Sequence, residues 1–191
     1  MSDRPQEVVL VRHGETEWTL SGQHTGRTDI PLTDRGREDA RALAAGLAGR
    51  RFALVLTSPL ARAAETCRLA GFGGVAAERD ALMEWDYGAY EGRKTVEIRQ
   101  ERPGWTLWTE GVPEGETAAQ VGSRVDGVIA EVRSAGGDAV LFAHGHVLRV
   151  LAARWLGLEA EAGRFFALDP ATISVLGYER ETTVFRSWNH G

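Results

Sequence analysis

The first apolar run of the chain reads Val8-Val9-Leu10-Val11 and passes directly into Arg12-His13-Gly14-Glu15-Thr16. A short run rich in β-branched residues predicts a buried strand. In open α/β sheets, ligands bind at the carboxyl ends of the strands, where Arg12 and His13 would stand. Arg offers a planar fork of donors that matches phosphate oxygens, and Gly14 lets the backbone approach closely. A histidine at such a place can act as a nucleophile, although on its own it is more often a structural residue.

Two later apolar runs repeat this order of strand, polar residues and helical periodicity. Residues 52–57 precede Ser58-Pro59-Leu60-Ala61-Arg62, and Ala139–Ala143 precedes His144-Gly145-His146. Apolar residues recur at helical spacing between the runs, at Ala40, Leu43, Ala44 and Leu47 and at Val121, Val125, Val128 and Val132. With two late strands expected at 173–178 and 183–188, this alternation predicts an α/β fold. We expect a three-layer α/β/α sandwich with a mostly parallel central sheet.

Two helix starts have recognisable signals. Ser58-Pro59 predicts an N-cap followed by proline at the first helical position. Thr117 with Gln120 three residues later predicts a capping box. Helix N-termini after Gly14, Ser58 and Gly145 would offer backbone N–H donors to an anion.

The composition is that of an ordinary soluble domain and limits the classes of partner. The 191 residues carry a net charge of −5 and the pI is about 5.6, which argues against general binding to nucleic acid or to an anionic membrane. Cys67 is the sole cysteine, so neither an intramolecular disulfide nor a cysteine-based zinc site is expected. We expect neither a secretory leader nor a bilayer-spanning stretch. We expect one cytoplasmic domain over 1–191, and the sequence leaves open whether it forms a homodimer.

The stretch 81–115 differs from the rest of the chain. It carries several Gly and Pro residues, one expected short helix at Thr95–Glu101, and the aromatic residues Trp85, Tyr87, Tyr90, Trp105 and Trp108. It has the character of a covering insertion, either a peripheral subdomain with a satellite aromatic core or a lid over a pocket. Packing is the favoured interpretation for most of the aromatic residues.

Polar residues after the three main strands are expected to meet at one sheet edge. They are Arg12, His13, Arg62, His144 and His146. Lys94 is the sole lysine and the other residues of the Lys/Arg type are arginines, so one Arg near one His is weak evidence for a binding site. The whole set, however, is expected to form a local anion site in an acidic protein. A phosphate monoester is the ligand that suits it best.

Five blocks in this order resemble the histidine phosphatase superfamily, the phosphoglycerate-mutase-like group. They are Arg12-His13-Gly14-Glu15-Thr16, Thr25-Gly26-x-x-Asp29-x-x-Leu32-Thr33-x-x-Gly36, Ser58-Pro59-x-x-Arg62-Ala63-x-x-Thr66, Glu84-x-x-Tyr87-Gly88-x-x-Glu91-Gly92 and His144-Gly145. Each block alone is modest, but five in order are very specific. The resemblance covers most of the chain and implies a phosphoglycerate-mutase-like fold.

The resemblance also implies roles for single residues. His13 would be the nucleophile that becomes phosphohistidine, and Arg12, Arg62 and His144 would hold the phosphoryl oxygens. Glu84 would protonate the leaving alcohol and later activate water. A neighbouring dianionic phosphate favours the protonated carboxyl, so we expect an activity optimum on the acidic side of neutral. The remaining expected substrate contacts are Thr19, His24, Thr25, Gly26, Tyr87, Gly145 and His146.

Several of these assignments have rivals in the sequence. Reasoning from the residues alone does not separate Glu84 from the other candidate carboxylates, Glu17, Asp29, Asp86 and Glu91. The alternative interpretation of His24 is a solvated loop residue. The alternative for His146 is a residue that supports the site from behind or that simply begins the helix. Thr19 stands where many family members have Asn, and its hydroxyl would donate to phosphate with a different reach.

The pair His144-x-His146 has the spacing of some metal-ligand pairs. Zinc hydrolases need at least a third ligand, and the five histidines form no known metallohydrolase pattern. We expect neither a metal nor another cofactor.

Features around the five blocks favour a phosphatase within the family. Residues 93–115 are short and lack the Arg-Arg pair that mutases generally carry. The segments Ser21-Gly22-Gln23-His24-Thr25-Gly26 and Glu84-Trp85-Asp86-Tyr87 are similar to sugar bisphosphatases of the sedoheptulose-bisphosphatase type and to small acid phosphatases. We expect a phosphomonoesterase for a small phosphorylated metabolite, a sugar mono- or bisphosphate. The alternatives are a cofactor-dependent phosphoglycerate mutase and a non-catalytic phosphate-binding module.

Overall fold

The computed structural model describes residues 5–191 and places a sheet between two layers of helices. The strands are β1 Val8–Arg12, β2 Leu54–Thr57, β3 Ala77–Glu78, β4 Ala139–Ala143, β5 Ile173–Glu179 and β6 Thr182–His190. The helices are α1 Glu17–Ser21, α2 Asp34–Leu47, α3 Ala61–Leu69, α4 Thr95–Glu101, α5 Leu107–Glu110, α6 Ala118–Ser134 and α7 Gly145–Trp155. Short 3₁₀ turns lie at Asp80–Leu82, Gly88–Tyr90 and Ala160–Phe165. Of the helices described, none has the length and apolar character that crossing a membrane requires.

The sheet has six strands in the order β3-β2-β4-β1-β5-β6. β1, β2, β3 and β4 run parallel to one another, whereas β5 is antiparallel to β1 and forms a hairpin with β6. The register pairs Arg12 with Ala143, so His13 and His144 follow from adjacent strand ends. The His13 N–H also donates to the Ala143 carbonyl at 3.0 Å. The predicted mostly parallel sheet is confirmed, and its carboxyl edge brings two histidines together.

Alternating residues of β1 explain the layers on the two sheet faces. Val8 and Leu10 belong to the buried cluster that contains the apolar stripes of α6 and α7. Val9 and Val11 belong to the opposite cluster, with Leu43 of α2 and Cys67 of α3. Because successive strand residues point to opposite faces, the apolar run Val8–Val11 is buried on both sides. This gives the expected three-layer sandwich.

The structure confirms one predicted helix start and corrects the other. Thr117 and Gln120 form the capping box of α6. Helix α3 begins at Ala61, however, with Leu60 at the N-cap and no side-chain cap. The prediction of Ser58 as the N-cap was wrong because the chain bends at Pro59 and Leu60 before the helix begins. The Ser58 N–H instead continues the hydrogen bonding of β2 to β4, donating to the Phe142 carbonyl at 2.9 Å.

The segment 81–115 packs onto the sandwich and contributes to its core. Trp85, Tyr90 and Trp105 are buried in the same cluster as the apolar residues of α6 and α7, so they do not form a satellite of their own. Helix α4 has the predicted bounds, and α5 is an additional helix. Because α5 has only four residues and depends on a cap in which Thr106 accepts the Thr109 N–H, it leaves no periodicity to detect.

Candidate active site

A cavity of about 210 Å³ opens at the carboxyl ends of β1 and β4. Its walls come from these strand ends, from α1 and the loop after it, from the segment 81–115, from α7 and from Leu168. The lining residues are Arg12, His13, Trp18, Thr19, Gly22, Gln23, His24, Thr25, Glu84, Tyr87, Gly145, His146, Arg149 and Leu168. Within residues 5–191, no group of three or more His, Cys, Asp or Glu side chains is arranged to hold a metal ion.

His13 is buried at the base of this cavity in a defined tautomer. Its Nδ1 lies 2.7 Å from the carbonyl oxygen of Gly14, and because a carbonyl can only accept, Nδ1 carries the proton. Burial holds the pKa of His13 well below 6.5, and the positive charges of Arg62 and Arg12 lower that pKa further, against a smaller raising effect of the Gly14 carbonyl. The ring is therefore neutral at pH 7, and its Nε2 has a lone pair available for attack.

His144 lies beside His13, with the ring centroids 5.1 Å apart. Its side chain is fully buried, and Nε2 pairs with the Ser58 hydroxyl at 2.7 Å. That hydroxyl accepts the Leu60 N–H and can donate to Nε2, which leaves Nδ1 as the protonated nitrogen. Burial, and then the charge of Arg62, hold the pKa of His144 well below its usual value.

Arg62 and Arg12 are anchored through their terminal nitrogens to backbone carbonyls. Arg62 Nη1 donates to Thr28 at 3.0 Å, and Nη2 donates to Gly26 at 2.8 Å and to Thr25 at 3.2 Å. Arg12 Nη1 donates to the Leu168 carbonyl. These bonds fix two guanidinium groups, which stay charged at neutral pH, close enough to His13 to lower its pKa.

Three buried nitrogens of this group have no hydrogen-bond partner in the described part of the chain: Arg12 Nε, Arg62 Nε and His144 Nδ1. Buried donors are rarely left unpaired in proteins, because an unpaired donor loses its bonds to water without replacement. Arg12 lines the cavity, whereas Arg62 and His144 are not among its lining residues. Three such donors close to one neutral imidazole suit the oxygens of an anion.

Glu84 is the one of the five candidate carboxylates that lines the cavity. Its Oε1 accepts the N–H groups of Trp85 at 2.8 Å and Val147 at 2.9 Å, and its Oε2 accepts that of His146 at 3.0 Å. The other four are placed elsewhere. Asp29 accepts the Ala61 N–H, Asp86 that of Gly88, Glu91 those of Gly26 and Thr28, and Glu17 is exposed on α1.

These contacts change the role expected for the helix N-termini. The N–H groups of His146 and Val147 at the start of α7 bind Glu84, and that of Ala61 at the start of α3 binds Asp29. The Gly14 N–H donates to the Thr66 hydroxyl at 3.1 Å. Protein groups thus occupy these donors, which leaves them unavailable to an anion.

Six of the seven expected substrate contacts line the cavity, and Gly26 does not. Gly26 is packed behind the wall, where a Cβ atom would lie only 2.6 Å from the Trp85 carbonyl oxygen. Thr19 faces the cavity, but its hydroxyl donates to the Thr16 carbonyl at 2.8 Å and accepts the Thr16 N–H at 2.9 Å. This capping role leaves it poorly placed to donate to phosphate.

One wall of the cavity is built from aromatic rings and neutral imidazoles. The Tyr87 hydroxyl lies 2.6 Å from His146 Nδ1, and His24 packs on Tyr87 with the centroids 4.8 Å apart. Burial, and then the charge of Glu84, raise the pKa of Tyr87 well above its usual value. Burial, and then the charge of Arg149, hold the pKa of His146 well below its usual value. The phenol therefore donates to Nδ1, and Nε2 of His146 carries the proton.

Arg149 is the main cavity residue that sequence reasoning missed. Its Nε donates to the Gly163 carbonyl at 3.1 Å and its Nη2 to that of Arg164 at 3.2 Å, while the guanidinium lies 4.7 Å from the Trp108 ring centroid. Its position five residues after His144 on α7 was an available signal, but arginine is so frequent in this chain that the signal did not stand out. Trp18, Gly22, Gln23 and Leu168 were also missed.

Comparisons with known proteins agree with this geometry. The family model for the histidine phosphatase superfamily (branch 1) matches residues 8–191. The chain is 40% identical over 184 residues to an acid phosphatase of Mycobacterium tuberculosis, covering 94% of this chain and 90% of the relative. It is 37% identical over 185 residues to sedoheptulose 1,7-bisphosphatase of Saccharomyces cerevisiae, covering 78% of this chain and 67% of that protein.

The fold matches a solved structure over almost its whole length. The open reading frame Rv3214 of Mycobacterium tuberculosis superposes with a TM-score of 0.92 at 36% identity, covering 98% of both chains. The five sequence blocks, the phosphoglycerate-mutase-like fold and the family model lead to the same assignment. The chain belongs to branch 1 of the histidine phosphatase superfamily and is a histidine phosphatase.

Proposed function

We propose that this enzyme hydrolyses the phosphate monoester of a small sugar-like metabolite through a phosphohistidine on His13. The observation that carries the proposal is the neutral imidazole, with Nε2 as its free nucleophilic nitrogen, beside three unpartnered buried nitrogens. A nucleophile and a set of phosphate-oxygen donors converge on one place.

In the first step, His13 Nε2 attacks phosphorus and the bond from phosphorus to the alcohol oxygen breaks. The leaving oxygen takes a proton from Glu84, so the products are the free alcohol, phosphohistidine and the Glu84 carboxylate. Arg12, Arg62 and His144 donate to the phosphoryl oxygens as charge spreads over them in the transition state. Their anchoring to backbone carbonyls and to Ser58 means that little reorganisation is needed.

In the second step, water attacks phosphorus and gives a proton to the Glu84 carboxylate. The bond between phosphorus and Nε2 breaks, which releases inorganic phosphate and restores neutral His13 and protonated Glu84. Three backbone N–H groups hold the Glu84 carboxyl in place beside the cavity. One side chain thereby serves as acid and then as base.

The rest of the cavity supports a sugar phosphate as the substrate. His146 offers a neutral N–H to a hydroxyl group, and the rings of Tyr87 and His24 supply an apolar surface beside it. Arg149 adds a fixed cation at the same cavity, which suits a second anionic group on the metabolite. The volume of about 210 Å³ favours a small molecule. The named activity of the yeast relative, sedoheptulose 1,7-bisphosphatase, is of this chemical class.

The test is phosphate release from a panel of sugar monophosphates, sugar bisphosphates and phosphoglycerates, without added metal and with a chelator present. We expect release by the wild type that a chelator does not abolish and that His13→Ala removes. His190→Ala is the matched control, because this histidine is exposed at the end of β6. Full activity of His13→Ala would overturn the nucleophile assignment. Interconversion of phosphoglycerates without phosphate release would instead identify a mutase.

A further inference from the structure

Arg124 lies on α6, outside the residues that line the cavity, and binds both the start of the segment 81–115 and Glu116, the residue that follows its end. Its Nη1 donates to the carbonyl oxygens of Ala81 and Met83, each at 2.7 Å, and its Nη2 to that of Glu84 at 3.2 Å. Its Nε and Nη2 also form a bidentate pair with the Glu116 carboxylate at 2.8 and 2.9 Å. Both side chains are mostly buried, with exposed fractions of 16% and 18%.

Glu116 extends this grip to the residues that follow Glu84. Its Oε2 accepts the Asp86 N–H at 2.9 Å, and its backbone carbonyl accepts the Trp85 indole N–H at 2.7 Å. The Glu116 N–H also donates to the Asp86 carbonyl at 2.9 Å. Together, Arg124 and Glu116 therefore form hydrogen bonds to five of the six residues in the stretch 81–86.

Glu84 is thus held by two helices through different parts of the residue. Arg124 of α6 binds its backbone carbonyl, and the first turn of α7 binds its carboxylate. We propose that Arg124 is a positioning residue for Glu84, setting the point from which the carboxyl reaches the leaving oxygen. This inference rests on the proposed function, in which Glu84 is the proton donor.

The shape of the guanidinium suits this task. Three carbonyls and one carboxylate accept from a single planar group with donors in fixed directions. An ammonium group is a compact point charge without that fork, so Lys at this position would retain the charge but satisfy only part of the set. Because a misplacement of about 1 Å can cost about 10²-fold in rate, the loss of Arg124 should act on the proton-transfer step.

Leaving-group dependence separates that effect from general loss of structure. An aryl phosphate such as p-nitrophenyl phosphate releases a stable phenolate and needs little protonation, whereas glycerol 3-phosphate releases an alkoxide and needs the acid. We would measure kcat/KM, which covers the steps through phosphoryl transfer to His13, for both esters. The enzymes are the wild type, Glu84→Gln, Arg124→Gln, Arg124→Lys and Arg79→Gln.

The matched control is Arg79, which forms a bidentate pair with Glu131 of the same helix α6 at 3.0 and 2.6 Å. The hydrogen bonds of the Arg79 side chain go to the Glu131 carboxylate and the Glu78 carbonyl oxygen, and not to Glu84 or its neighbours. Arg79→Gln should leave the ratio of the two kcat/KM values unchanged.

We expect Glu84→Gln to lower kcat/KM for glycerol 3-phosphate by about 10²-fold or more, and that for p-nitrophenyl phosphate much less. Arg124→Gln should reproduce this selectivity, with a loss of about tenfold or more on the alkyl ester and less than about threefold on the aryl ester. Arg124→Lys should fall between Arg124→Gln and the wild type. If Arg124→Gln does not fold, as judged by circular dichroism, the kcat/KM values of Arg124→Lys for the two esters are compared instead.

Equal losses on both esters, or no loss on either, in the Arg124 variants would overturn the positioning role. If Glu84→Gln still lost more kcat/KM on glycerol 3-phosphate than on p-nitrophenyl phosphate, the proposed function would stand and only the positioning role of Arg124 would be wrong. If Glu84→Gln itself failed to discriminate, the assignment of Glu84 as the acid would be wrong, and the positioning role would fall with it.

Discussion

His13 and His144 lie side by side because they follow the paired residues Arg12 of β1 and Ala143 of β4, and their rings are 5.1 Å apart at an angle of 60°. Burial and the charges of Arg62 and Arg12 hold the pKa of both histidines well below the usual value. Two neutral imidazoles next to two guanidinium groups give a site in which His13 remains unprotonated while the surrounding charge is positive.

The first prediction concerns the pH dependence of kcat/KM. Because the pKa of His13 lies well below 6.5, the proposed nucleophile keeps its lone pair as the pH falls through that value. We expect kcat/KM for an alkyl phosphate, corrected for the second ionisation of the substrate near pH 6, to hold or rise from about pH 8 to about pH 5.5. A decline below about pH 6.5 with the slope of one proton would contradict this.

The second prediction concerns stability. In the unfolded chain His13 and His144 bind protons below about pH 6.5, whereas in the folded protein their lowered pKa values keep them neutral. Stability should therefore be fully present above pH 6.5 and fall as the pH drops below it, by about 1.4 kcal/mol per pH unit for each histidine. Urea unfolding at several pH values measures this slope. His13→Ala should reduce it by one proton, and the same slope in that variant would count against the buried neutral state.

The third prediction is that Ser58 supports His144. Ser58→Ala removes the partner of the buried Nε2 at 2.7 Å, which frees the ring to turn and leaves its polar atom unpaired. We expect a loss of about 1–3 kcal/mol in the free energy of unfolding and a fall of up to about tenfold in kcat/KM. Ser134→Ala is the control, since that hydroxyl donates to a carbonyl on the exposed end of α6. Equal results for the two variants would exclude the supporting role.

The fourth prediction is that Arg149 selects substrates with a second anionic group. Arg149→Gln should raise KM for a sugar bisphosphate by about tenfold or more, the loss expected when one charge-assisted bond is removed, and change KM for the monophosphate much less. Arg154→Gln, on the same helix but paired with Asp126 outside the cavity, should affect the two substrates alike. Equal changes in KM for both substrates with Arg149→Gln would assign it to structure alone.

The elements with strong periodicity were predictable from the sequence, and those that depend on tertiary contacts were not. The run Val8–Val11 predicts β1 because its residues are buried on both faces of the sheet. Ser58 was misread as a helix cap because local propensity does not reveal that its N–H completes the ladder between β2 and β4. Helix α5 was missed because its four residues span barely one turn.

The strand-end residues of the candidate site were predictable, since the parallel sheet brings Arg12, His13 and His144 to one edge. Glu84 could not be separated from its rivals by residue reasoning, because it lies in an aperiodic stretch that is positioned by α6 and α7. Arg124 and Arg149 gave no distinct signal, as each is one arginine among many on a regular helix.

The central claim is that His13 carries the phosphoryl group, and direct capture of that intermediate tests it best. The enzyme would be mixed with a ³²P-labelled sugar phosphate, quenched in alkali within milliseconds and mapped by peptide mass spectrometry. The account predicts an alkali-stable, acid-labile phosphoryl group on His13 that is absent from His13→Ala and unchanged in His190→Ala. Turnover without any labelled protein, or label on another residue, would contradict it.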